Sequence, residues 1–66
     1  MKTKGSLFWG YLDNEGQIEV KKYVNDRQIA NYERLPFVTG IFDPFYAADI
    51  WEARRMVEAR YKEELN

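Results

Sequence analysis

The side chains that could perform chemistry in this 66-residue chain are carboxylates, hydroxyls, amines and aromatic rings. Two carboxylate pairs, Asp13 with Glu15 and Asp43 with Asp49, could in principle act as general acid and base. The sequence contains no His and no Cys, so the commonest general base and the usual ligands of zinc, haem and iron–sulfur clusters are missing. Each aspartate also suits a structural role, Asp13 and Asp43 in turns and Asp49 at a helix start. We therefore expect no enzyme activity, no metal and no cofactor.

Aromatic rings are the second group of candidates, because they make up 17% of the chain. Trp9, Tyr11 and Tyr23 share one face of a predicted hairpin with Lys21, which resembles the aromatic centre and charged rim of protein-binding hot spots. The same rings and lysines could stack on bases and bind phosphates, so a nucleic-acid-binding module is the alternative. Glu19 on this face and the small number of lysines disfavour that alternative. A third interpretation is that the middle segment or a second protomer covers the rings.

A β-hairpin must position these rings. The β-prone segments Leu7–Leu12 and Gln17–Val24 flank Asp13–Gly16, which suits a type I turn with Gly16 in the left-handed conformation. A three-residue loop predicts the register Leu12 opposite Ile18, Gly10 opposite Val20 and Phe8 opposite Lys22. Apolar side chains then dominate one face of the hairpin.

The opposite face, here called the ringed face, combines aromatic and charged residues: Leu7, Trp9, Tyr11, Glu19, Lys21 and Tyr23. The stretch Trp9–Asp13, followed by Gly16, Val20 and Tyr23, resembles one hairpin of the WG-type β-repeats, and this resemblance implies the hairpin alone. Gly10 and Gly40 fall inside predicted strands. We expect them to make room for aromatic side chains of the core.

The segment after the hairpin, residues 25–35, permits two interpretations. It is either a short helix capped by Asn25 or Asp26, or an irregular loop. Residues 37–42 are β-branched and aromatic, which predicts a third strand. We expect Asp43 and Pro44 to end that strand, because proline cannot donate a hydrogen bond to the ladder.

A C-terminal helix is predicted from Asp49 as N-cap to about Glu64, with Glu52 completing a capping box. One stripe of this helix is apolar and needs a surface to cover: Ile50, Ala53, Val57 and Tyr61. Trp51 lies at the edge of the stripe and would extend the partner-binding surface. The predicted fold is α+β, a three-stranded antiparallel β-sheet packed by the C-terminal α-helix.

Composition narrows the function further. A net charge of −1 gives no bulk field for attracting nucleic acid or an anionic membrane, and no segment reaches the roughly 20 apolar residues that span a bilayer. We expect one domain over residues 1–66 with a flexible N-terminus at residues 1–5, located in the cytoplasm. The predicted function is a small non-catalytic interaction module that occludes a surface of a larger protein, in the style of inhibitors from bacteriophages and mobile elements. A self-assembling structural protein, forming a homodimer or a larger oligomer, is a further alternative.

Overall fold

The computed structural model describes residues 5–65, with side chains described as far as residue 63, so residues 1–4 of the predicted flexible N-terminus lie outside the described residues. The elements are β1 (Ser6–Asp13), β2 (Ile18–Lys22), α1 (Asp26–Glu33), β3 (Val38–Ala47) and α2 (Ile50–Leu65). The strands form an antiparallel sheet in the order β2-β1-β3, and α2 packs on this sheet. The predicted α+β fold is confirmed. Of the two interpretations of the middle segment, the helix is correct.

Turn chemistry explains the geometry of the β1–β2 hairpin. The carboxylate of Asp13 accepts hydrogen bonds from the backbone N–H groups of Glu15 (2.9 Å) and Gln17 (2.8 Å), and Gly16 has a φ of 82°. These contacts close the three-residue loop and set which residues face each other. All three predicted pairs, Leu12 with Ile18, Gly10 with Val20 and Phe8 with Lys22, are confirmed.

The third strand is longer than predicted. It continues through Asp43 and Pro44 to Ala47, so the expectation that these two residues form a turn and end the strand is wrong. Phe45 pairs with Phe8 and Phe42 pairs with Gly10, so three steps along β3 match two steps along β1 and a bulge results. Because β3 is an edge strand and Pro44 lies in the bulge, its missing N–H does not interrupt the ladder.

The capping of α2 follows the sequence closely. The Asp49 carboxylate accepts a hydrogen bond from Glu52 N at 2.8 Å, and the Glu52 carboxylate accepts one from Ala48 N at 2.6 Å. In an ordinary capping box the side chain three residues into the helix accepts a hydrogen bond from the N-cap N–H, whereas here Glu52 accepts it from the residue before the N-cap. The predicted apolar stripe faces the sheet: Ala53 and Val57 are buried, and Ile50 and Tyr61 are partly buried.

The core beneath α2 is small. Phe8, Ala47 and Ala53 form its buried centre, and Val20, Phe45 and Ile50 pack against them. Gly10 allows close strand approach rather than making room for a ring, since a Cβ there would lie 2.7 Å from the carbonyl oxygen of Glu19. A Cβ at Gly40 would meet only the Leu12 side chain, at 3.8 Å. The expectation that both glycines accommodate aromatic rings is therefore wrong.

Candidate protein-binding surface

Helix α1 lies over the ringed face. Its N-cap, Asn25, accepts a hydrogen bond from Gln28 N through its side chain at 2.9 Å. One turn later Tyr32 places its ring centroid 5.3 Å from that of Trp9 and 5.3 Å from that of Tyr11. The edge-to-face geometry with Trp9, at an interplanar angle of 71°, is favourable for aromatic pairs. Aromatic contacts therefore hold this short helix on the sheet.

Gln28 makes the polar part of the same contact. Its side-chain oxygen accepts hydrogen bonds from Trp9 Nε1 at 3.0 Å and from Val24 N at 3.1 Å. Trp9 is 0% exposed and Tyr11 is 8% exposed. The prediction that Trp9 and Tyr11 offer an accessible partner-binding surface is therefore wrong. The middle segment covers the rings, as the third interpretation of the sequence allowed. Nucleic-acid bases therefore cannot reach these two rings to stack on them.

Lys21 and Tyr23 lie at the margin of this aromatic cluster. The Lys21 ammonium is 5.3 Å from the centroid of the Tyr32 ring, within the range of a cation–π interaction. The Tyr23 hydroxyl donates a hydrogen bond to the Asp26 carboxylate at 2.7 Å. This hydrogen bond raises the pKa of Tyr23, and burial, assisted by the Glu19 carboxylate, raises the pKa of Tyr11. The structure thus brings four of the five predicted site residues into contact with α1, with Trp9 and Tyr11 buried and Lys21 and Tyr23 partly exposed.

Trp51, the fifth predicted residue, stands apart from them. It lies in the first turn of α2 with 71% of its surface exposed. The neighbouring Arg54 is anchored, because its guanidinium pairs with Glu58 at 3.6 Å and donates to the Ile18 carbonyl at 3.2 Å. Four exposed residues at helical spacing form what we call the Trp51 surface: Trp51, Arg55, Glu58 and Lys62.

The other flank of α2 borders a shallow apolar groove, here called the β3–α2 groove. Five residues line it: Phe42, Phe45, Met56, Val57 and Arg60. Its volume is about 70 Å³, far below the roughly 300 Å³ of a typical metabolite site. Sequence reasoning missed this groove, although Met56 at the margin of the apolar stripe was an available signal. Met56 is 44% exposed.

One member of each candidate carboxylate pair has a structural role. Asp13 organises the hairpin turn, and Asp49 caps α2. Within the described part of the chain, no three His, Cys, Asp or Glu residues are grouped so that they could hold a metal ion. None of the described helices combines the length and apolar character needed to cross a membrane.

Comparisons with protein-family models, with curated proteins and with solved structures find no significant match for this chain. Its function must therefore be argued from its own surfaces.

Proposed function

We propose that this chain is a non-catalytic interaction domain that binds a larger protein through the Trp51 surface. The observation that carries the proposal is the contrast between the two tryptophans, because Trp9 is fully buried whereas Trp51 is 71% exposed. Covering the remaining surface of Trp51 would remove roughly 180 Å² from water, worth about 4 kcal/mol before the costs of association. Tryptophan is also among the residues most enriched at binding hot spots.

The charges around Trp51 indicate the chemistry of the partner. Arg55 and Lys62 follow Trp51 by four and eleven residues, which places them within about 40° of it around the helix. Arg55 and Lys62 are both exposed, and within residues 5–63 the one ion pair joins Arg54 and Glu58. We therefore propose a protein whose surface offers an apolar pocket for the indole with carboxylates beside it.

Occlusion is the proposed mechanism. The Cα atoms span 42 × 30 × 15 Å, so the broad side of the domain can supply the roughly 800 Å² that each partner contributes to a standard interface. A domain of this shape would cover a functional surface of its partner and reduce access to it. In its specific form, the proposal is that the chain inhibits its partner, as expected of small accessory proteins from bacteriophages and mobile elements.

The test compares two exposed aromatic residues on different faces of the protein. Trp51→Ala and Tyr46→Ala each remove a largely exposed ring, 71% and 58% exposed respectively, so both variants should keep the wild-type circular dichroism spectrum and melting temperature. Immobilised wild-type chain is used to capture partners from a lysate of the native host, and each captured protein is purified for affinity measurement. We expect Trp51→Ala to weaken its binding at least about tenfold and Tyr46→Ala to leave it unchanged.

Two results would contradict this proposal. One is equal binding by Trp51→Ala and wild type. The other is tight binding of a single-stranded oligonucleotide, with an affinity that falls steeply between about 50 and 200 mM salt and is lost in Trp51→Ala, since this would assign the surface to nucleic acid.

A further inference from the structure

We infer that the outer edge of β2 pairs with an extended, carboxylate-bearing segment of the partner protein, which extends the sheet by one strand. The inference rests on the proposed function for the existence of a protein partner, and it names the part of that partner that is bound. Its basis is the unpaired backbone of this edge strand and the position of the Trp51 surface beside it.

The unpaired backbone groups of β2 follow from its hydrogen bonds to β1. Tyr23 N donates to Leu7 O and Asp13 N donates to Gln17 O, each at 2.9 Å, and the register between these two positions is continuous. Because the hydrogen-bonding groups of a strand alternate between its two sides, every second residue from Gln17 to Tyr23 bonds to β1. The N–H and C=O groups that point away from the sheet belong to the residues between them: Ile18, Val20 and Lys22.

The other edge of the sheet, β3, is unsuited to the addition of a strand. Its pairing with β1 has two register irregularities, and Pro44 lacks the N–H that an added strand would need. Bulges and proline are devices that keep a sheet edge from pairing with another chain. β2 has neither, so it is the edge that presents a regular row of donors and acceptors to a partner.

One outward group of β2 already accepts a hydrogen bond from α2. Arg54, one turn after Trp51, donates from its guanidinium to the Ile18 carbonyl at 3.2 Å. This contact places the Trp51 side of the helix along the outer edge of β2. A groove of about 250 Å³ lies between the hairpin and the helix, and Ile18, Glu58 and Lys62 are among the residues that line it. A strand added to β2 would therefore lie beside the Trp51 surface, with alternate side chains directed toward this groove.

The charges on this side of the sheet favour a segment that bears carboxylates. Lys22 lies on the face that α2 covers, because its cross-strand partner is the core residue Phe8. That face of β2 and the adjoining side of α2 together carry four cations and one carboxylate: Lys22, Arg54, Arg55, Lys62 and Glu58. The opposite face has balanced charges on β2 and at the start of α1: Glu19 with Lys21, and Asp26 with Arg27. The excess of positive charge is thus confined to the α2 side of the edge, where it complements an acidic strand.

The same charges disfavour a second copy of this chain as the added strand. Two-fold pairing of β2 strands would bring the positively charged side of one α2 toward that of the other. Pairing centred on Val20 would also set Glu19 of each copy opposite Lys21 of the other, but exposed ion pairs of this kind contribute little. The mass of the free chain is measured as part of the test.

A display library of random peptides of about twelve residues, selected on the immobilised full chain, tests the inference without knowledge of the partner. We expect the selected peptides to contain more Asp and Glu than Lys and Arg and to lack proline in their central residues. The pairing positions are Val20 and Lys22, because Arg54 already binds the Ile18 carbonyl. Amide hydrogen exchange measured by NMR should slow at least about tenfold at these two residues when a selected peptide binds.

N-methylation of a selected peptide distinguishes strand addition from other modes of binding. In a strand added to β2, every second peptide N–H donates to β2 and the others point to solvent. Methylating the first set should weaken binding at least about tenfold, whereas methylating the second set should leave binding unchanged. A peptide held only by its side chains would not show this alternation.

Lys22→Pro and Lys22→Gln are a matched pair of protein variants. Both remove the same charge, but only Lys22→Pro removes the outward N–H, and neither removes a hydrogen bond to β1. Lys22→Pro should weaken peptide binding at least about fivefold relative to Lys22→Gln, with the fold of both checked by circular dichroism. Arg55→Glu should also weaken binding, whereas Arg60→Glu, which makes the same charge change on the other flank of α2, should not.

The inference is overturned if no peptide is selected, if the selected peptides are basic, if both methylated sets bind equally, or if Lys22→Pro binds as Lys22→Gln does. Sedimentation of the free chain as a dimer, with the Val20 and Lys22 amides protected, would assign the edge to a second copy instead. Failure of the proposed function gives a different result. If Trp51→Ala binds the peptides as wild type does, strand addition stands without the Trp51 surface. If a captured partner requires Trp51 but leaves both amides unprotected, the proposed function stands and strand addition is wrong.

Discussion

Removing the Gln28 side chain tests how α1 is held on the ringed face. In the native protein the Gln28 side-chain oxygen accepts hydrogen bonds from the indole N–H of Trp9 at 3.0 Å and from Val24 N at 3.1 Å. Gln28→Ala deletes this acceptor without changing either donor. The Val24 N–H can then bind water, because Val24 is 69% exposed, but the Trp9 indole is 0% exposed and cannot.

The expected loss follows from that difference. A buried donor left without an acceptor costs about 1–3 kcal/mol, so we expect Gln28→Ala to lower the free energy of unfolding by about 2 kcal/mol. For a domain of this size each kcal/mol corresponds to roughly 4–8 °C, which gives a fall in melting temperature of about 8–16 °C. Trp9→Phe removes the donor itself. In a Trp9→Phe background Gln28→Ala should therefore cost about 1 kcal/mol less.

Urea denaturation followed by far-ultraviolet circular dichroism measures these values for both single variants and the double variant. Asn31→Ala is the matched control, since Asn31 is exposed on the same helix and its replacement should change stability by less than about 0.5 kcal/mol. In a Trp51→Phe background, Trp9 is the only tryptophan, and its emission should show no red shift in Gln28→Ala, because water does not reach the indole. A loss below about 0.5 kcal/mol, or an equal loss with and without the indole N–H, would refute this account of the contact.

Two further predictions concern alkaline pH and the hairpin turn. Because burial raises the pKa of Tyr11 above 10.0, the fold favours its neutral form, and the resulting stability is complete below pH 10 and lost as pH rises through the folded-state pKa. Tyr11→Phe should therefore lose less stability than wild type between about pH 9 and 11 in urea titrations, and an equal loss would assign the alkaline effect to other groups. Asp13→Ala removes the acceptor for the N–H groups of Glu15 and Gln17 and should cost about 1–2 kcal/mol, whereas Asp13→Asn keeps an acceptor and should recover most of it. Equal stability of the two Asp13 variants in the same titration would show that the turn forms without these bonds.

Much of the fold was predictable because its determinants are local. The hairpin register depends on Asp13 and Gly16, which are adjacent to the pairs that they align. The start of α2 likewise depends on Asp49 and its neighbour three residues on. The extent of β3 was not predictable in this way. Pro44 ends a strand only where the ladder needs its N–H, and whether it does depends on the position of β3 in the sheet and on a bulge.

The candidate site shows the same limit. The sequence placed Trp9, Tyr11, Lys21 and Tyr23 at one face of the hairpin, and this placement follows from strand alternation. Strand alternation assigns side chains to a face of the hairpin, but it does not determine which segment packs over that face. The accessibility of Trp51 was easier to anticipate, since its angle from the apolar stripe is a property of the helix alone.

The sequence alone thus determined the turns and helix caps, whose hydrogen bonds join residues only a few positions apart. It also determined which faces of the strands and helices are apolar and which are polar. Tertiary structure decided that β1 is central, that α1 covers Trp9 and Tyr11, and that Phe42, Phe45 and Met56 meet beside α2. The physical reason is that burial is a property of contacts between residues distant in the chain. The Trp9–Gln28 hydrogen bond, which spans 19 residues, forms only when the sheet and the helix come together.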